Sequence, residues 1–442
     1  MSCIYCFFSK ENQMKLKKDC FGNPRYEETL KEYKKIYIDE LKKINTIEQC
    51  ECSNTIRDYI GNDNNKINLC FNCYNDFLVC IKNHISDIEK YFDEIIDIYD
   101  TYIKENIHIA YEKMKNFIIK IYKYRKKQTI FYSTPMFRVR PKGQYNIKDI
   151  REYFHIPFNK RFLTSNQRFS TTGKPMIYLS NSLQIALAEV NKKIDEVNAA
   201  IFLPSFSYNY DSTLYDIKND IIDLLKNIIS SISSGIKYDD KIFQSLFSIF
   251  SNHIFYNILT FPIQEEYRGP FIQEYVLPQL LTDILKYDDL NNDYIGIEYQ
   301  STKEYKWKIT DMDMYQLESN YCFFIPYEDD NDYSNKFLER FFYYCDTENI
   351  ISNEDFLLSI ESLKNINLQL KNEGYNNSDI GLHLFSIKNH INDIVKYKGN
   401  DYYLSSNEGK IERTLIYGLI QNIIKHVYYL KNNNLIKKIN EN

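Results

Sequence analysis

RFSTTGKPMIYLSNSLQIALAE, residues 168–189, joins an arginine, a strand-like run and a helical run in one short stretch. Met176 to Ser180 is apolar and aromatic, which suits a strand. Ser182 is placed to cap the helical run Ser182 to Ile194 that follows. This unit carries a permanently charged fork at Arg168, a ring at Tyr178 and a carboxylate at Glu189, three groups that suit one anionic, aromatic ligand. DYIGIEYQST, residues 293–302, adds Ser301 at the end of a second strand-like run. Outward from these two segments, Met136 to Arg140, Ala199 to Phe206, Tyr294 to Ser301 and Tyr321 to Pro326 read as further strands, and Ile272 to Tyr287 as a helix. A mostly helical insertion from about Asp211 to Phe261 includes Asp220 to Ser233 and Lys241 to Leu259. The order predicts an α+β domain with helices packed on a mixed or antiparallel sheet.

Composition sets the outer limits. The chain has 442 residues, 44% hydrophobic and 26% charged, an ordinary balance for a folded protein with one large core or a few smaller ones. Its 40 tyrosines and 12 glycines look like codon bias as much as function. A net charge of -5 and a pI near 5.9 disfavour a general nucleic-acid binder, which neutralises phosphates with a basic surface. The start, MSCIYCFFSKEN, lacks a basic head and cleavage site, and no apolar run reaches the ~18 residues of a membrane span, so a cytoplasmic protein is expected.

In a reducing compartment clustered cysteines are metal ligands before they are disulfides. Cys3 and Cys6 form one C-x-x-C pair, Cys50 and Cys52 a C-x-C pair, and Cys70 and Cys73 a second C-x-x-C, with Cys20 and Cys80 nearby. Two such pairs supply two edges of a tetrahedron for zinc. The most local quartet is Cys50, Cys52, Cys70 and Cys73; joining Cys3 and Cys6 to Cys70 and Cys73 is the alternative, and two sites are conceivable. A full thiolate set leaves no open position, so the expected zinc is structural. Ile85 to Arg125 reads as one long amphipathic helix whose basic end carries Lys113, Lys115, Lys120, Lys123, Arg125, Lys126 and Lys127; a solvated face explains it most simply. Phe337 to Tyr344, Asn353 to Leu370, Asp379 to Lys396 and Glu412 to Lys431 have helical periodicity. The expected partition is a Cys-rich zinc-binding region (1–82), a helical connector (83–129), a catalytic domain (130–330, helical insertion 211–261) and a helical C-terminal region (331–442).

Several familiar sites are absent from the sequence. Scattered glycines exclude G-x-G-x-x-G and Walker loops, no His-Glu-x-x-His occurs, and Ser301 lacks the flanking glycines of a nucleophile elbow. Nowhere does a histidine follow an arginine at the spacing of HEPN ribonucleases. His155 in EYFHIPFNKR reads as a structural histidine.

The FRVR segment around Arg138, the block FHIPFNKRFLTSNQRFSTTGKPMIYLSNSLQIALAE, and FIQEYVLPQLL followed by YIGIEYQSTK resemble the RES domain, over roughly residues 136–326. Ser170 stands where many shorter members have asparagine. The resemblance implies a fold similar to ADP-ribosyltransferases and an enzyme that degrades NAD, often a toxin restrained by an antitoxin. Carried onto this sequence, Arg168, Glu189 and Ser301 become the catalytic residues, with Arg138 and Tyr178 binding NAD. The chemistry agrees with the residues. Loss of nicotinamide from NAD leaves an oxocarbenium-like ribosyl group, which one ionised carboxylate stabilises, and a guanidinium fits pyrophosphate oxygens. The expected activity is an NAD glycohydrolase or phosphorylase acting as a toxin or phage-defence effector; an ADP-ribosyltransferase acting on a protein or nucleic acid, and a non-catalytic NAD sensor, are the alternatives. An antitoxin or trigger protein and a second copy of the chain are the partners such a reading implies, with no membrane partner.

Overall fold

The structure is a computed structural model, describing residues 2–122, 128–129, 134–143, 146–205, 213–217, 220–235, 246–287, 294–303, 319–375, 378–398, 405–433 and 435. Its first part is helical: α1 (Ile4–Phe8), α2 (Lys10–Lys18), α3 (Tyr26–Lys42), α4 (Cys52–Ile60), α5 (Asn64–Asn83), α6 (Ile85–Lys104) and α7 (Ile107–Tyr122). Short polar side chains set the starts. Ser9 accepts from the Asn12 N–H to cap α2, and Asp63 accepts from Asn65 and Lys66 to cap α5. The inner faces are aromatic: Tyr33 meets Tyr37, Phe92 and Phe261 edge-on, with centroids 5.8, 5.6 and 5.4 Å apart.

The single helix expected over Ile85 to Arg125 is instead the pair α6 and α7. Glu105 leaves helical geometry (φ -122°, ψ -93°), and Asn106 restarts the helix by accepting from the His108 N–H at 2.7 Å. Folding back lets Lys113 pair with Asp97 at 2.7 Å and Lys120 with Glu94 at 2.6 Å. Those two basic residues therefore belong to exposed intramolecular pairs, while Lys123, Arg125, Lys126 and Lys127 lie outside the described residues.

One eight-stranded sheet organises the remainder. Its strands are β1 (Gln128–Thr129), β2 (Met136–Pro141), β3 (Met176–Ser180), β4 (Val197–Pro204), β5 (Thr213–Ile217), β6 (Tyr294–Gln300), β7 (Ser319–Phe324) and β8 (Phe341–Tyr344), in the spatial order β1-β5-β6-β7-β3-β2-β4-β8. β5 and β6 run parallel and the other neighbours antiparallel, so the sheet is mixed and the protein α+β. Helix α8 (Leu183–Val190) follows β3; α9 (Asp220–Ser233), α10 (Leu246–Leu259) and α11 (Val276–Tyr287) lie between β5 and β6; α12 (Asn335–Leu338) precedes β8; and α13 (Asn353–Asn372), α14 (Ser378–Lys398) and α15 (Asn407–Asn432) complete the chain.

Two expectations change here. Phe337 to Tyr344 is not one helix: Phe337 and Leu338 end α12, and FFYY forms β8, because the edge of β4 offers it a ladder from Pro204 with Phe341 to Ile201 with Tyr344. An aromatic run of this length fits either period, and pairing decides. Likewise Thr213–Ile217, inside the stretch expected to be helical, is a fully buried strand beside β6. The helical insertion does not stand apart either, since α9, α10 and α11 share one apolar core with α1 to α7.

Strand alternation gives the sheet two distinct faces. One carries Leu214, Tyr321, Phe323, Ile177, Leu179, Ala200 and Phe202, covered by α12 and short 3-10 turns. On the other, Ile217, Ile297, Tyr299 and Cys322 pack beneath the N-terminal helices and α9 to α11, while Phe137, Val139, Ala199 and Ile201 pack beneath α8 and α13 to α15. Two helical blocks thus sit side by side on one face, and their border runs along β7 and β3. Gly296 allows β6 to close on β7 there: a Cβ at that position meets the Cys322 carbonyl oxygen at 2.5 Å, a backbone atom that cannot step aside. Gly296→Ala is expected to cost about 1–3 kcal/mol by overpacking, read as a lower midpoint in urea unfolding; an unchanged midpoint contradicts this packing.

Candidate functional site

Glu189 projects at that border. Ser182 starts α8 by accepting from the Ile185 N–H at 3.2 Å, and Asn191 ends it in the left-handed region at φ 51°. The buried Leu183, Ala186 and Leu187 fix the helix on the sheet, which delivers Glu189 to the ends of β6 and β7. Its Oε1 accepts from Ser301 Oγ at 2.7 Å and from Asn320 Nδ2 at 2.7 Å. Asn320 is itself held, because Ser180 Oγ donates to its Oδ1 at 2.6 Å, which turns the amide so that Nδ2 faces the carboxylate. Ser301 and Asn320 are buried, whereas Glu189 is half-buried. Among the described residues no donor meets Oε2. The carboxylate is therefore aimed through one oxygen, Oε1.

Arg168 stands on the other side of an aromatic wall. Its Nη1 donates to the Leu259 carbonyl at 3.0 Å, and its guanidinium lies 5.2 Å from the centroid of Tyr275. Phe169, next in sequence, packs on Tyr299 at 4.8 Å. Both charges reach the same two phenols. Burial raises the pKa of Tyr275 and Tyr299, with Arg168 opposing and Glu189 reinforcing that rise at each. Arg168 and Glu189 thus both bear electrostatically on Tyr275 and Tyr299, and Ser301 is bonded to the acid.

Tyr178 and Arg138 have different placements. The Tyr178 hydroxyl donates to Ser170 Oγ at 3.2 Å and accepts from the Phe169 N–H at 3.2 Å, so this ring pins the segment that carries Arg168. Ser170 is the acceptor in that contact. Arg138 does not join the acid. It shares the opposite sheet face with its registered partner Ala200, and its Nη1 donates to the Tyr178 carbonyl at 3.3 Å where β2 and β3 meet through one registered pair, Phe137 with Ser180. The reason is strand parity: Arg138 is one residue from Phe137, which faces the site side. His155 is structural, as expected: its Nε2 accepts from the Ser334 N–H at 2.9 Å, and burial lowers its pKa to about 4.

A second cluster lies in the head. The sulfurs of Cys3, Cys6, Cys50 and Cys52 all fall within 4.8 Å of one another, close enough to hold a metal ion. Cys6 is 3.8 Å from Cys3, 3.6 Å from Cys50 and 3.3 Å from Cys52. A tetrahedron with metal–sulfur bonds of about 2.3 Å has edges of about 3.8 Å, so these spacings fit four thiolates. Hydrogen bonds from Cys3 and Cys52 lower the Cys6 pKa while those of Cys3 and Cys52 are raised, so without a metal the cluster favours one thiolate shared among thiols. Neither quartet built on Cys70 and Cys73 forms. Both residues sit on the continuous helix α5, where burial pushes Cys70 up to about 12, and the first two pairs combine instead because α1 and the start of α4 meet.

No family profile and no solved structure matches the chain. The sequence is similar to "Putative toxin YopC" of Bacillus subtilis (strain 168), 23% identical over 255 residues, which covers 54% of this chain and 53% of that protein. The chain thus spans about half the length of this curated relative. Among the described residues no helix is long and apolar enough to cross a membrane.

Proposed function

We propose that this protein is an NAD-consuming enzyme of the RES type, with an ADP-ribosyltransferase-like core, cleaving the bond between nicotinamide and ribose. The observation that carries the reading is the bonding of Ser301 and Asn320 to one oxygen of Glu189, with Arg168 across two shared tyrosines. As the C1′–N1 bond breaks, its electron pair returns to the nicotinamide nitrogen, which leaves neutral and needs no strong acid. Positive charge grows on the ribose. Glu189 Oε2, held in place through Oε1, stabilises that charge, orients the acceptor whose oxygen bonds C1′ and takes the proton that a water acceptor gives up. Arg168 holds pyrophosphate oxygens, and the half-buried Tyr275 supplies an aromatic surface for a flat base. Arg168→Ala is expected to raise the KM for NAD about tenfold while kcat changes less than threefold; the reverse split contradicts a binding role.

The similarity to a protein named as a toxin supports a toxic or defensive role through NAD depletion, with an antitoxin or trigger protein as the partner class. The Cys3, Cys6, Cys50 and Cys52 site takes zinc in a structural capacity, since four thiolates leave no position for water. Mass spectrometry of products after adding NAD, with and without phosphate, tests the reading. Free nicotinamide with ADP-ribose or its 1-phosphate supports it, ADP-ribose attached to a macromolecule moves the chain to the transferases, and intact NAD refutes it.

A further inference from the structure

Beneath Ser301 lies a small cavity lined by Lys10, Gln13 and Lys17 of α2, by Tyr256 and Thr260 at the end of α10, and by Gln300. Lys17 is 2% exposed. Its Nζ donates to Thr260 Oγ1 at 3.3 Å and lies 5.7 Å from the centre of the Tyr256 ring. The Thr260 hydroxyl donates in turn to the Tyr256 carbonyl at 2.8 Å. Arg168 binds the Leu259 carbonyl, one residue away, so two basic side chains converge on the C-terminal end of α10, which offers only about half a negative charge. No carboxylate contacts Lys17 Nζ among the described residues. A buried cation without a counter-ion is costly unless something else on the molecule or outside it supplies the charge. Burial first, and then the nearby Arg168 and Lys10, depress the Lys17 pKa, so an anion beside Nζ would favour its protonated form.

We infer that Lys17, contributed by the N-terminal head, is an anion-binding residue of the Glu189 site and receives a phosphate oxygen of the substrate's diphosphate together with Arg168. The cavity has about 20 Å³, room for about one water, so a phosphate oxygen enters it while the phosphorus stays outside. The assignment deepens the proposed NAD reading and names the group it recognises. It also gives the head a direct part in the site, since α2 follows α1 across Ser9 and α1 begins after Cys3.

The test uses full-length protein and inorganic pyrophosphate, followed by calorimetry. Wild type is expected to bind, Lys17→Met to bind at least tenfold more weakly, and Lys17→Arg within about threefold of wild type. Lys17→Met is also expected to unfold at the same or higher temperature than wild type without ligand, because it removes a buried charge; should it fail to fold, Lys17→Gln is read in its place by the same criteria. Absent binding by wild type, or equal binding by Lys17→Met, overturns the inference. The two readings separate cleanly: pyrophosphate held through Lys17 with NAD left intact keeps the anion site and removes the cleavage, while NAD cleaved with an unchanged KM in Lys17→Met keeps the cleavage and removes the anion site.

Discussion

Glu189→Ala is expected to lower kcat for NAD cleavage by about 100-fold or more, with a much smaller change in KM. The carboxylate acts where charge develops, and one such group removed from a preorganised site typically costs that much. Alanine also leaves the buried donors of Ser301 and Asn320 without their acceptor, so part of its effect is local rearrangement. Glu189→Gln separates the two contributions. It keeps the side chain's shape and one oxygen for those donors but removes the negative charge. A comparable fall in kcat for both variants assigns the effect to charge; full activity of Glu189→Gln assigns it to packing and contradicts the mechanism.

Cys6→Ser should produce the largest loss of structure. Cys6 lies 3.8, 3.6 and 3.3 Å from the sulfurs of Cys3, Cys50 and Cys52, so its removal opens the quartet. Zinc bound by a structural site contributes directly to folding, and losing it is expected to cost the head about 4 kcal/mol or more. Metal content should fall from one zinc per chain towards none, and amides of α1, α2 and α4 should lose protection from hydrogen exchange while β6 and β7 keep theirs. Because α2 carries Lys17, the KM for NAD should rise as well. One zinc retained, or unchanged protection in α1 and α2, contradicts this role for the quartet.

Local signals carried much of the architecture. Met176 to Ser180 and the Ser182 cap are where the pattern of RFSTTGKPMIYLSNSLQIALAE puts them, because a strand followed by a capped helix is written in adjacent residues. What depended on pairing was less legible. FFYY in β8 and TLYDI in β5 are too short to declare their period, and the ladders with β4 and β6 decide them. The candidate site shows the same division. Arg168, Glu189 and Ser301 stand out by residue type and order, but Asn320 had no signal of its own: it becomes significant only when the register sets it against Ser180 and Tyr299. Strand parity likewise moved Arg138 to the opposite face. Among the cysteines, pair spacing identified the ligands' type, while the choice of partner rested on α1 meeting α4, a contact more than forty residues apart in sequence.

The most direct measurement is the amount of nicotinamide formed per NAD consumed, followed by chromatography for wild type and Glu189→Gln at equal, saturating NAD. The account predicts one nicotinamide for each NAD lost in wild type and about 100-fold slower release by the variant. Equal rates from the two proteins, or NAD consumed without nicotinamide, would contradict it.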